Sequence, residues 1–88
     1  MYVVVRITTY SPERSALIFS SLEAASEYLQ RDWEDKYNSW LSNGHYEGWM
    51  INSVEIDEDY TYHEDDYAVL SDRYGDRIEW FLIEAKTL

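Results

Sequence analysis

Residues 20–44, SSLEAASEYLQRDWEDKYNSWLSNG, decide the fold of this chain. Leu22, Ala25, Leu29, Trp33, Tyr37 and Trp40/Leu41 recur at spacings of three and four, which aligns them along one side of an α-helix. Ser20 with Glu23 three residues on has the form of a capping box. Asn43-Gly44 supplies a C-terminal stop, so the helix is expected over 21–42. Its polar side carries Glu27, Arg31 and Asp35 at successive i,i+4 positions, and Asp32 with Lys36, so much of that face is expected to pair internally. Packing on a sheet is the expected role of the apolar stripe; a partner-binding face is the competing one.

The flanking segments read as strands. Residues 2–10 (YVVVRITTY) are β-branched and aromatic, with Val3, Val5 and Ile7 on one face. Ser11-Pro12-Glu13-Arg14 suits a type I turn, and 15–19 (SALIF) form the return strand of a hairpin. After a loop at 44–48, residues 49–57 (WMINSVEID) read as a third strand. Residues 77–85 (RIEWFLIEA) are apolar on both faces, as a central strand should be. Residues 67–72 (YAVLSD) either pair with 77–85 across Arg73-Tyr74-Gly75-Asp76 or form a short helix ended by Gly75; the hairpin is preferred. The order ββαβ(β)β predicts a single α+β domain over 1–88: an antiparallel sheet of 4–5 strands with one long amphipathic helix packed on one face.

Composition narrows the function. Hydrophobic residues make up 45 % of the 88 positions and aromatics 17 %, too many for a disordered acidic tail. Cysteine is absent, which excludes a disulfide framework, a thiolate nucleophile and a Cys zinc site. Met1 leads straight into an alternating strand rather than a signal peptide. No apolar run approaches the ~20 residues of a transmembrane helix. A cytoplasmic, soluble protein is expected.

Charge is the strongest functional signal. Eighteen acids against seven Lys and Arg give a net −11, unevenly spread. Residues 1–20 carry +1, 21–44 carry −3, 45–54 carry −1, 67–88 carry −1, and 55–66 (EIDEDYTYHEDD) alone carry −7. Extended, that stretch would set Glu55, Asp57 and Asp59 on one face about 6.6 Å apart. Glu58 would point the other way, and Glu64, Asp65 and Asp66 would follow. Tyr60, Tyr62 and Tyr67 interleave with the acids. Carboxylate rows beside phenolic rings imitate a phosphate backbone and suit the Arg and Lys rows that normally hold nucleic acid. The bland alternative is a solubilising acidic loop.

Other chemistries fit poorly. Asp57, Asp59, His63, Glu64, Asp65 and Asp66 offer oxygen ligands for Ca²⁺ or Mg²⁺, yet the run lacks the central Gly and terminal Glu spacing of an EF-hand. His45 and His63 sit in polar loops without a neighbouring nucleophile motif, and the three glycines are isolated, so no phosphate cradle exists. An enzyme is not expected, nor is a cofactor. Seven scattered bases make no patch for nucleic acid; Arg73 and Arg77 are expected to pair with Asp72 and Asp76.

The block 55–66, in a cysteine-free, aromatic-rich chain of this size, resembles the small acidic inhibitors encoded by bacteriophages, among them anti-CRISPR proteins and other DNA mimics. The hairpin-then-helix order of 2–42 is also similar to the small phage inhibitor of bacterial RNA polymerase. The resemblance implies a stoichiometric inhibitor that occupies the nucleic-acid-binding groove of a host protein. Glu55, Asp57, Glu58, Asp59, Glu64, Asp65 and Asp66 would supply charge, with Tyr60 and Tyr62 as anchors. Two alternatives stand beside it. One is an assembly protein that forms a homo-oligomer, or a subunit of a larger complex, through an edge at 2–10 or 77–85 and through Trp49 or Trp80. The other is a Ca²⁺-responsive module.

Overall fold

The apolar stripe becomes α1, Leu22–Asn43, in a computed structural model that describes residues 1–9, 14–43 and 56–86. Its N-cap is Ser21 rather than Ser20. The Ala24 N–H donates to Ser21 Oγ at 3.2 Å, and the Ala25 N–H to the Ser21 carbonyl at 3.2 Å. A cap hydroxyl reaches the N–H three residues on, so a helix that starts at Leu22 selects Ser21. Glu23 then falls in the first turn, where the helix dipole favours an acid, instead of closing a box.

Among the described residues five strands form one sheet: β1 Tyr2–Thr8, β2 Arg14–Phe19, β3 Tyr62–His63, β4 Tyr67–Ser71 and β5 Arg77–Glu84. Their spatial order is β2-β1-β5-β4-β3, and every neighbouring pair is antiparallel. The architecture is α+β in the order ββαβ(β)β, with α1 packed against β4, β5, β1 and β2. Residues 67–72 take the hairpin, with Leu70 opposite Ile78 and Ser71 opposite Arg77. Gly75, at φ +91°, supplies the left-handed residue that its turn needs. The turn at 11–13, the loop at 44–48 and most of the expected third strand, 49–55 with Trp49, lie outside the described residues. From 49–57 only Ile56 and Asp57 are described; Ile56 bridges to Asp72 and the Asp57 N–H donates to the Ser71 carbonyl at 2.8 Å.

Strand alternation assigns the two faces. Val4, Trp80, Leu82, Ala68, Leu70 and Ile78 face the helix. There Val4, Ala68, Leu70, Ile78 and Trp80 join Ala25, Leu29 and Trp40 in the core, with Leu82, Trp33 and Tyr37 packed against it. Trp40 and Trp80 are both fully buried, each contributing about 5 kcal/mol from ~200 Å² of covered surface. Val3, Val5 and Ile7 do share one face, but it is the face away from the helix. The parity that faces the helix is Tyr2, Val4, Arg6 and Thr8, so alternation alone pointed to the wrong side; Asp32 of α1 accommodates Arg6 there.

Three further expectations change. β1 and β5, the described parts of the strands expected at 2–10 and 77–85, expose no edge, because they are interior neighbours; among the described strands the edges are β2 and β3. Trp80 is wholly buried and faces no partner. Asp32 does not pair with Lys36. It turns towards the sheet, where Oδ2 accepts from Arg6 Nη1 at 2.9 Å and from Trp80 Nε1 at 2.9 Å. Among the described residues no helix is long and apolar enough to cross a membrane.

Candidate functional site

The acidic stretch is folded onto the edge of the sheet rather than extended. Asp57 Oδ1 accepts from the Asp59 N–H at 3.2 Å and caps a single 3₁₀ turn, Glu58–Tyr60. This is the local side chain to backbone bonding that draws Asp away from strands. The expected row of Glu55, Asp57 and Asp59 on one face therefore does not form, and Glu55 itself lies outside the described residues. Thr61, buried just beyond the turn, stitches the segment to β4: the Ser71 N–H donates to its Oγ1 at 3.0 Å. The chain then enters β3 and turns through Glu64, Asp65 and Asp66 into β4.

Neighbouring elements pin these acids. Tyr37 on α1 donates its hydroxyl proton to Glu58 Oε1 at 2.7 Å, a bond that raises the Tyr37 pKa above its ordinary value. Ser26 Oγ donates to the Asp65 carbonyl at 3.1 Å, and Gln30 Nε2 donates to Asp65 Oδ1 at 3.3 Å. The Leu82 N–H donates to the Asp66 carbonyl at 2.9 Å, and the Glu64 N–H to the Tyr67 carbonyl at 2.7 Å. His63 stacks obliquely against Trp33, with centroids 4.6 Å apart, while Trp33 Nε1 donates to the Val69 carbonyl at 2.9 Å.

The outcome is an acidic groove. Glu64, Asp65 and Asp66 meet Glu23 and Glu27 of α1 and Glu84 of β5 around an open concavity of about 880 Å³. Its apolar lining is Tyr2, Leu22 and Leu82, and Ser26 and Gln30 complete it. Among the described residues no Lys, Arg or His lines this groove. Glu23 has partial compensation from the helix N-terminus, whereas Glu23 and Glu27, one turn apart, repel by a few tenths of a kcal/mol. Cationic groups from outside would relieve that repulsion.

The eight expected residues that are described, all but Glu55, are thus divided. Glu64, Asp65 and Asp66 line the groove. Glu58, Asp59 and Tyr60 lie exposed on the 3₁₀ turn, which meets α1 at Tyr37, about two helical turns beyond the groove's Gln30, and Asp57 serves as its cap. Tyr62 sits on the opposite sheet face, its ring 5.8 Å from that of Tyr67. Glu23, Glu27 and Glu84 are groove residues that the sequence did not mark as such. The i,i+4 rule assigns Glu27 to Arg31, and nothing in linear spacing brings Glu84 near the helix. Among the described residues no three His, Asp or Glu side chains are placed to hold a metal ion. Ser26, the serine within the groove, is engaged as donor to Asp65 and acceptor from Gln30 Nε2 at 3.3 Å. Comparison of the chain with protein-family models, curated proteins and solved structures gives no match.

Proposed function

We propose that the protein is a stoichiometric inhibitor that binds a basic, nucleic-acid-binding surface of another protein through its acidic groove and the 3₁₀ turn further along the same edge. The carrying observation is the set of six carboxylates around an apolar-lined groove whose described lining holds no cation. Arg and Lys side chains of a partner would place their charges among Glu23, Glu27, Glu64, Asp65, Asp66 and Glu84, with their aliphatic stems on Tyr2, Leu22 and Leu82. Glu58, Asp59 and Tyr60 extend the surface along the edge. Exposed carboxylates set the association rate and the choice of partner, while desolvated aromatic and apolar contacts supply most of the affinity. The protein acts by occupancy, without catalysis or cofactor.

The test is a capture experiment from host lysate, using the wild type and a variant with Glu58, Asp59, Glu64, Asp65 and Asp66 changed to Gln or Asn. Nucleic-acid-binding proteins should be retained by the wild type, released by added duplex DNA, and lost with the variant. Affinity for a captured partner should fall at least tenfold between low and high salt, as charge-steered binding requires. Identical partner sets, or affinity indifferent to salt, sink the proposal.

A further inference from the structure

The face of the sheet turned away from α1 is apolar and, across β2, β1 and β5, no element among the described residues packs on it. Val3, Val5, Ile7 and Phe81 are only partly covered there, and Ile18 and Ile83 are 68 % and 52 % exposed. Register makes these residues one patch: Val3 lies between Ile18 and Ile83, and Val5 between Ala16 and Phe81. Tyr67, opposite Phe81 with ring centroids 5.3 Å apart, carries the patch onto β4. Charged side chains on these three strands' outer positions are Arg14, Arg77 and Glu79, the last two joined at 3.0 Å. A chain of net −11 has therefore kept its excess acid off this face.

We infer that this open face is the interface of a two-fold dimer with a second copy of the chain, the two sheets packing face to face. Like copies of so acidic a protein repel everywhere their acids meet, and here they meet none in excess. The size suits a weak contact. Three strands at ~4.8 Å spacing and roughly 24 Å of strand length give a footprint of about 350 Å² per copy. The pair covers about 700 Å² before side-chain relief is counted, in the range of weak, reversible contacts. Aligned sheets pack ~10 Å apart with their side chains interdigitated, so Ile18 and Ile83 of both copies would leave water. Both helices and both acidic grooves would point outward. The inference stands apart from the proposed inhibition, because it uses the opposite face of the sheet.

Sedimentation of the whole protein from low to high micromolar concentration tests it, beside the double variant Ile18→Lys/Ile83→Lys. Both positions are exposed in the monomer, so the variant should keep the wild-type circular dichroism and thermal midpoint. The wild type should dimerise reversibly, more tightly as added salt screens the net charge, and the double variant should dissociate at least tenfold more readily. A wild type that stays monomeric at high salt overturns the inference, as does a folded variant that dimerises like the wild type. A second pair of changes, Ile18→Ala/Ile83→Ala, gives the same reading without added charge: unchanged dimerisation again overturns it.

Discussion

Asp32→Ala removes the one carboxylate shared by Arg6 and Trp80, and its cost can be worked from the structure. The Arg6 and Asp32 side chains keep only 18 % and 14 % of their exposure, and Trp80 keeps none. Removing one partner of a buried ion pair costs about 3–5 kcal/mol, because the other charge is left in a poorly solvated place. The residual exposure of Arg6 argues for the lower end. The Trp80 N–H also loses its acceptor, which by itself costs about 1–3 kcal/mol. These two penalties overlap, and we expect a total near ~4 kcal/mol. A domain of this size loses roughly 4–8 °C in Tm per kcal/mol, so the midpoint should fall by about 16 °C or more. Chemical unfolding followed by tryptophan fluorescence and circular dichroism measures it. Asp32→Asn keeps an acceptor for Trp80 while removing the charge, and should cost about half as much. The double change Arg6→Met/Asp32→Leu should recover stability to within ~1 kcal/mol of the wild type, since a well-packed apolar pair replaces a desolvated ionic one. If Asp32→Ala costs less than about 1 kcal/mol, the network does not fasten the helix to the sheet, and the reasoning fails.

Two further outcomes are expected. The pKa of Tyr67 is pushed up to about 12 by burial, by its hydrogen bond to Glu79 and by the Glu79 charge. The folded state thus holds a proton that the unfolded chain releases near pH 10, so stability is complete below about pH 10 and falls as pH rises towards 12. After allowance for solvent around a partly exposed phenol, the loss is about 1 kcal/mol; Tyr67→Phe should flatten the decline in an alkaline unfolding series, and an unchanged slope would reject the assignment. At the helix start, Ser21→Ala should cost about 1 kcal/mol and Ser20→Ala only a few tenths. Equal losses in urea unfolding would show that the cap is misplaced.

The sequence made the helix, both hairpins and the central place of 77–85 legible, because these rest on local periodicity and turn chemistry. α1 needs only a stripe that repeats every three or four residues. The β4–β5 hairpin needs only Gly75 in its turn. What was not legible depended on contacts distant in sequence or on symmetry in the pattern. Val3, Val4 and Val5 are chemically alike, so the buried face of β1 was fixed by which side α1 covers. Ser20 and Ser21 are adjacent and equally able to cap. Asp32 obeys the i,i+4 rule on paper, yet the offer of two donors from Arg6 and Trp80 outweighs one lysine. The acidic stretch was found by counting, but its shape was not, because Asp57 bonds to its own backbone and ends the extended run. The acids that complete the groove come from two further elements, α1 and β5, which only the assembled sheet and helix bring to the acidic stretch.

The pairing of β1 with β5 has a consequence for how the chain acquires its structure. Tyr2 lies opposite Glu84 and Thr8 opposite Ile78, so the middle of the sheet joins the earliest and the last of its strands. Closing so long a loop carries a large entropy cost before any contact rewards it, and such non-local pairing slows folding. The β1–β2 hairpin and α1 can gather early, but Trp80, which fills the core and satisfies Asp32, arrives only with the final strand. A growing polypeptide must therefore wait with β1 lacking its inner neighbour until β5 has been made. The dense acidic stretch, synthesised just before β4 and β5, would keep that unfinished chain apart from its neighbours.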